Sequence, residues 1–341
     1  MKKTGTAITP RIKMADLAKL AGVSKSTVSR ALADSPLIPK ETKEKITALA
    51  KEHSYRLNKR ARNFHSKETL TIAVLIPDTK EKDWRLSDPF FLELLGSIAD
   101  TLNDQGHELL LSKTSSGAEE WAITHVQRGT CDGVILIGQG TQHAEINALA
   151  DSDIPFVVWG GLLADQKYCT VGSDNRLGGK KACKLLLEKG RRHIAFFGDR
   201  RLPEVSLRYD GYKAALVEAG LGTETALDVS APFGSDSAYQ AIVDFLAKDA
   251  PLDGIFACSD VIAMAAIRAL GEKGLRIPED VAIVGYDDIA LASYYSPPLT
   301  TVDQDCQTGG QQLVVRLLEI IQGGSAASLM LDTELIERAS T

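Results

Sequence analysis

Five residues in one short stretch, Lys25, Ser26, Thr27, Ser29 and Arg30, place two cations and three hydroxyls within two helical turns and have no carboxylate among them. Donors of that kind suit phosphate oxygens and the acceptor-rich edges of base pairs. Ser24, just ahead of them, is a ready N-cap, because its hydroxyl can accept from an unpaired amide of the helix that follows. A second set is scattered over the rest of the chain: Phe90, Phe91, Trp159 in VVWGG, Arg208, Phe233 in a Gly-rich turn, and Asp287. Aromatic faces with a few charged hydrogen-bonding groups suit a sugar ring, whose C–H face is apolar and whose rim is hydroxyl.

The first set is positioned by two short amphipathic patterns with a small-residue turn between them. In IKMADLAKLAGVSKSTVSRALA, residues 12–33, Met14, Leu17, Ala18 and Ala21 recur at spacings of three and four, and Gly22 ends the pattern. Thr27, Val28, Ala31 and Leu32 then follow at helical spacing. Small residues at Ala18 and Gly22 are expected to let the two helices cross closely, with Val23 and Val28 filling the angle, as a helix-turn-helix requires. Beyond a loop at 34–39, Pro39 and Glu41 open a third helix in KETKEKITALAKEH, whose Ile46, Leu49 and Ala50 cover the first two. The next segment, NKRARNFHS at 58–66, is basic and too short to stand as a helix alone in water.

Charge is split along the chain. The net value of −6 hides a basic start, since residues 1–68 hold 16 Lys or Arg against 6 Asp or Glu, +10, which leaves −16 for the rest. A basic head on an acidic body attracts a polyanion at one end and repels it elsewhere. No apolar run approaches the roughly 18 residues of a membrane span, and MKKTGTAITPRIK lacks the apolar core of a secretory signal, so a cytoplasmic protein is expected. Cys131, Cys169, Cys183, Cys258 and Cys306 are widely separated, without a CxxC pair or a histidine at metal spacing, and read as buried thiols.

From Leu70 onward the period changes. TIAVLIP, HELLLSK, GVILIG, PFVVWG, HIAFFG, GIFACS and VAIVGY are almost continuous in apolar residues, the pattern of strands buried on both faces. Helical periodicity fills the intervals Phe91–Asn103, Ala118–Gln127, Arg176–Glu188, Gly211–Ala219, Ser237–Ala247 and Val261–Glu272. Such alternation builds parallel sheets with helices on both faces, and the number of units calls for two doubly wound subdomains with a ligand crevice between them. The second set of residues falls at strand ends and loops facing that crevice.

The stretch from Ile12 to about Ser66, down to the string AGVSKSTVSRAL, resembles the lactose repressor family of bacterial regulators. The body resembles the same family and its periplasmic sugar-binding relatives through DPFF at 88–91, VGSDNRLGG from Val171, RYDGY at 208–212, CSD at 258–260, GYDD at 285–288 and PPLTTVDQD from Pro297. The resemblance implies an all-α helix-turn-helix head (1–57), a hinge helix (58–68), and an α/β periplasmic-binding-protein-like effector and dimerisation body (69–341). Of that body, about 69–168 plus 300–325 would form one subdomain and about 169–299 plus 326–341 the other. By family position Lys25, Ser26 and Arg30 read bases, while Ser24, Thr27 and Ser29 grip phosphates. In the hinge, Lys59 and Arg62 serve phosphates, and Phe64 stands where the family has a Leu that wedges into the minor groove. An aromatic wedge can stack on an unstacked base step. In the body, Arg208 and Asp287 hold sugar hydroxyls and Phe233 stacks on the ring. Phe90, Phe91 and Trp159 add aromatic faces, and Ser259 stands where relatives place an amide.

Enzymatic readings fare poorly. VGSDNRLGGKK lacks the GxxxxGK[ST] order of a phosphate loop, no GxSxG elbow occurs, and six histidines are scattered without a nucleophile beside them. No cofactor or metal is expected. The resemblance implies instead a repressor acting as a homodimer on a palindromic operator and released by a sugar, of glucose or glucoside type because VVWGG resembles a sugar-responsive branch of the family. A co-repressor-activated or dual regulator with a non-sugar effector is the alternative. The ending LDTELIERAST shows no further heptad pattern, so no tetramer-forming helix is expected.

Overall fold

A computed structural model describes residues 12–32, 34–53, 55, 68–77, 86–114, 118–222 and 227–341. The hinge residues Lys59, Arg62 and Phe64 lie outside them. The chain divides into two compact units, 1–69 and 70–341.

In the first unit, α1 (Met14–Ala21), α2 (Lys25–Leu32) and α3 (Lys40–Glu52) enclose a core of Leu17, Ala18, Ala21, Val28, Ala31, Ile46 and Ala50, with Leu49 half-buried at its rim. Gly22 closes α1 at φ 69°, a left-handed backbone that glycine adopts without penalty. A β-carbon there would meet nothing within 4 Å. Backbone conformation therefore sets residue 22, not the close helix crossing that the sequence suggested; of the two small residues, only buried Ala18 sits in the packed core.

The body holds two parallel sheets. In the first lobe the strands run in the order β11 (Leu329–Leu331), β5 (Thr170–Ser173), β4 (Phe156–Trp159), β3 (Gly133–Ile137), β1 (Thr71–Pro77), β2 (Glu108–Thr114). Alternate residues of these strands feed two separate cores. Ile72, Val74, Ile135, Ile137, Val157 and Trp159 pack with α4 (Pro89–Asp104) and α11 (Cys306–Ile321), and Ala73, Leu75, Val134, Leu136 and Val158 pack with α5 (Ala118–Gln127) and α6 (His143–Ala150). Both faces are covered, so the strands read as unbroken apolar runs.

The second lobe orders β7 (Leu227–Val229), β6 (Ile194–Phe197), β8 (Gly254–Ala257) and β9 (Ala282–Val284) around a core that includes Phe196, Phe197, Tyr212, Phe256 and Tyr286. Its helices are α7 (Asn175–Glu188), α8 (Pro203–Glu218), α9 (Ser235–Leu246) and α10 (Asp260–Glu272). A third, two-stranded antiparallel sheet joins β10 (Thr301–Asp303) to β12 (Glu334–Ile336).

Three departures from the sequence reading stand out. β5 and β11 belong to the first sheet, so the chain crosses between lobes near Asp174 and Asp332 rather than near residues 168 and 325. At three or four residues, and in β5 with Gly172 and Ser173 among them, these strands are too short to show the apolar run that betrays the longer ones. Helix α11, absent from the sequence reading, covers the first sheet. Finally, α8 begins at Pro203 and not at Gly211, which puts Arg208 inside a helix and not at a strand end.

Candidate functional site

The head presents α2 as a polar ridge. Ser24 Oγ accepts from the Thr27 N–H at 3.1 Å, capping the helix, and lies 2.7 Å from Ser26 Oγ and 2.8 Å from Thr27 Oγ1. Ser24, Lys25, Ser26 and Arg30 are exposed, Thr27 and Ser29 are half-buried, and Val28 and Ala31 turn inward. A helix that keeps its apolar residues on one side and only cationic or hydroxyl donors on the other is equipped to enter a groove of an acidic duplex. Two lysines of α3 brace this arrangement: Lys45 Nζ donates to Ala21 O at 3.2 Å and Lys43 Nζ to Asp34 Oδ1 at 2.7 Å.

In the body, Phe90, Phe91, Trp159, Arg208, Phe233 and Asp287 line one cleft with Asp88, Glu204 and Gln304. Its empty volume is about 530 Å³ with the solvent-open mouth included. The first lobe supplies the aromatic wall. Asp88 caps α4 by accepting from the Phe90 N–H at 3.0 Å, and Pro89 fixes the first turn, so Phe90 and Phe91 emerge side by side with ring centroids 5.7 Å apart. Trp159, at the end of β4, is 4% exposed and backs Phe90 at 6.0 Å.

The second lobe and the crossovers supply the polar wall. Arg208, 5% exposed, donates from Nε to Asn175 Oδ1 at 2.7 Å, from Nη1 to Cys258 O at 2.6 Å and from Nη2 to Gln304 Oε1 at 3.3 Å. Its guanidinium lies 3.7 Å from the Tyr286 ring centroid. Asp287 Oδ1 accepts from Gln304 Nε2 at 2.6 Å and sits 3.8 Å from Arg208 Nη1. Gln304, on a crossover, also accepts from Ser173 Oγ at 2.7 Å, so one amide ties both lobes to the ion pair. A second link crosses the cleft where Glu204 Oε1 accepts from the Gln139 N–H at 3.2 Å. Burial raises the pKa of Asp88, Glu204 and Asp287 alike; the helix amides at Asp88 and Arg208 beside Asp287 oppose it only in part.

Asp287 is held in a conformation that L-residues rarely adopt, φ 120°, and Asp288 follows at φ 51°. Such strain costs on the order of 1–3 kcal/mol and persists only where neighbours impose it. Here the neighbour is Asp260. Its Oδ1 accepts from Thr301 Oγ1 at 2.5 Å, its Oδ2 from the Ile289 N–H at 2.9 Å, and its own N–H donates to Tyr286 O at 2.7 Å. Desolvation pushes this carboxyl up to about 7.

One reading of the sequence changes at this point. Ser259 does not line the cleft; it is fully buried, and its hydroxyl caps α10 by accepting from the Ile262 N–H at 3.3 Å. Asp260 pins the 286–289 loop through the Ile289 N–H, and Asp174 caps its helix through the Leu177 N–H at 2.9 Å. Asp88, Glu204, Gln304 and Asp260 escaped the sequence reading as site residues. Asp88 and Gln304 lie inside the DPFF and PPLTTVDQD strings, but nothing local marks Glu204. All five cysteines are buried, and burial pushes Cys183 and Cys258 up to about 12. Among the described residues no group of His, Cys, Asp and Glu is arranged to hold a metal, and no helix is long and apolar enough to cross a membrane.

Comparison with known proteins matches residues 13–58 to the family described as bacterial regulatory proteins, lacI family, and residues 183–341 to a periplasmic binding protein-like domain. The HTH-type transcriptional regulator CelR of Thermobifida fusca is 31% identical over 97% of this chain and 98% of its own. A solved transcriptional regulator CelR–cellobiose complex matches with TM-score 0.72 at 29% identity, covering 97% of this chain and 100% of that one. The Lac repressor dimer bound to operator and the anti-inducer ONPF matches with TM-score 0.85 at 24% identity over 97% and 99% of the two chains, a likeness of fold. With a helix-turn-helix head, a two-lobed parallel α/β body and relatives of this identity along its whole length, the chain belongs to the lacI family and is a DNA-binding transcriptional regulator.

Proposed function

We propose that the protein is a cytoplasmic repressor that binds a palindromic operator as a homodimer and releases it when a saccharide fills the cleft of the body. The observation that carries this reading is the pairing of the cleft walls: Phe90, Phe91 and Trp159 on one side, Arg208, Asp287 and Gln304 on the other. Apolar ring faces opposite buried, pre-oriented hydrogen-bonding groups fit a pyranose, and the CelR structure with cellobiose supports a glucoside-type ligand. In this reading Lys25, Ser26 and Arg30 contact base edges, and Ser24, Thr27 and Ser29 contact phosphates. Lys59 and Arg62 neutralise phosphates at the hinge, where Phe64 wedges into the minor groove. Residues 1–57, 58–68 and 69–341 then act as reader, coupler and sensor. A two-fold dimer demands a two-fold operator.

Coupling between the sites is set at about 1–3 kcal/mol, a 5- to 150-fold change in operator affinity, and reciprocity requires DNA to weaken sugar binding by the same factor. The test is thermal shift of the full chain with a panel of mono- and disaccharides, followed by operator anisotropy with those that bind. A sugar that raises Tm and weakens operator binding within that range supports the proposal. A panel in which no saccharide binds while a non-sugar metabolite does would end it.

A further inference from the structure

The charged groups of the cleft are unequal in number. Asp88, Glu204 and Asp287 face one cation, Arg208, among the described residues that line it. That cation is also committed, with three of its N–H groups given to Asn175, Cys258 O and Gln304, its face against Tyr286, and Asp287 at 3.8 Å. The carboxylates, by contrast, have acceptor capacity to spare. Asp287 uses Oδ1 for Gln304, and no described residue donates to its Oδ2; Glu204 receives one neighbouring N–H, that of Gln139.

A wall that is short of donors and rich in acceptors selects for a ligand that brings O–H donors and no negative charge. We infer that the cleft takes a saccharide free of phosphate, carboxylate or any other anionic group. This rests on the saccharide reading above and narrows it. An anion entering the cleft would be lined by three carboxyl groups and by one guanidinium that already gives three N–H groups to the protein, so the groups that repel it when ionised outnumber the one that could compensate it.

Matched pairs test the inference: glucose with glucose 6-phosphate, cellobiose with its 6-phosphate and ribose with ribose 5-phosphate, titrated into the full chain by calorimetry at constant ionic strength. The expected result is that any neutral member that binds loses at least about 100-fold on phosphorylation. A phosphorylated member binding as tightly as its neutral partner overturns the charge argument but leaves the saccharide reading intact. A nucleobase binding where every sugar fails ends the saccharide reading instead. Inorganic phosphate decides the matter without any sugar: the wild-type chain should show no saturable response, and the Asp88→Asn/Glu204→Gln variant should gain one. A saturable wild-type response that Arg208→Met removes would overturn the inference.

Discussion

In the head, the polar groups of the α2 ridge lie close together in sequence, between Ser24 and Arg30, and the hydroxyl of Ser24 finds its partners within three residues. In the cleft, the side chains of Arg208 and Asp287 are buried, and the partners of their hydrogen bonds come from 17 to 96 residues away. The head thus offers donors on a preformed helix and leaves them to water, whereas the body has desolvated its groups and fixed them beforehand. Exposed groups of the first kind are removed at little cost to stability; those of the second kind are removed only by leaving partners unpaired in the interior. The same operation, truncating a ligand-facing side chain, should therefore give different results in the two units.

Arg208→Ala is the strongest way to break that contrast. It takes a donor from Asn175 Oδ1 and Cys258 O, leaves Gln304 Oε1 with Ser173 Oγ alone and leaves Asp287 without its cation, so effector affinity should fall by more than about 100-fold, with a loss of about 3–5 kcal/mol in the stability of the body. Operator affinity without effector should change less than about twofold. Calorimetry and anisotropy on one preparation check both, and Arg208→Lys, which keeps the charge but loses the fork, should recover only part of the binding. Normal sugar affinity in the Ala variant would show that the cleft residues act in packing alone.

The acidity of the cleft gives the next effect. Asp260 is raised to about 7 by desolvation, and Asp287, Glu204 and Asp88 are raised as well. Each folded value lies above the unfolded one, so above the ordinary carboxylate range the native state holds protons that the unfolded chain has released, in the case of Asp260 up to about 7. Stability must then fall as pH rises through that window and be greatest below it, by up to a few kcal/mol for Asp260 alone. Denaturant unfolding from pH 5 to 8 reads the slope. Asp260→Asn should flatten it and, by loosening the 286–289 loop, weaken sugar binding with no contact to the ligand. A slope unchanged by the substitution would take Asp260 out of the support of Asp287.

The contrast also explains what was legible in the sequence. The helix-turn-helix could be read because its core, cap and polar ridge are local patterns, and Ser24 caps its helix as its position foretold. The long strands were legible as apolar runs, yet β5 and β11 were not, since strands of so few residues owe their existence to neighbours in the sheet. Arg208 and Asp287 came into view through family strings and Phe233 through its Gly-rich turn, while Glu204 lies in no such string and Asp260, although inside CSD, is not marked by it as a support of the site, because their roles depend on Gln139 and on the 286–289 loop, far away in sequence.

Helix packing in the body sharpens the comparison further. Helices α7 and α8 lie backbone to backbone, and a β-carbon on Gly179 would come 2.1 Å from Arg208 O. Gly179→Ala must push α8 outward and carry Arg208 with it, costing about 1–3 kcal/mol or more and reducing sugar affinity along with stability. In the head, Lys25→Ala touches no core residue. It should leave Tm within about a degree and cost about 1–3 kcal/mol at particular operator bases, as read by competition with single-base variants. A uniform loss on all sequences would reassign Lys25 to phosphate contact.

The smallest effect is expected at Gly22, and it separates two reasons for a small residue. The backbone there is left-handed, its N–H donates to Lys19 O at 3.2 Å, and no atom would lie within 4 Å of an added β-carbon. Gly22→Ala should cost the head about 1 kcal/mol through the strain of an L-residue at positive φ, and Gly22→Asn less, since asparagine tolerates that region. Hydrogen exchange at Leu17 and Val28, whose side chains are fully buried in the head core, reads this local stability without waiting for the body to unfold. Operator affinity at low temperature should hold within about twofold in both variants, because the strain is relieved by unfolding and not by moving α2. A loss beyond about 3 kcal/mol in the Ala variant would mean that space, as at Gly179, sets residue 22 after all, and that the helices of the head cross more tightly than the open surroundings of Gly22 allow.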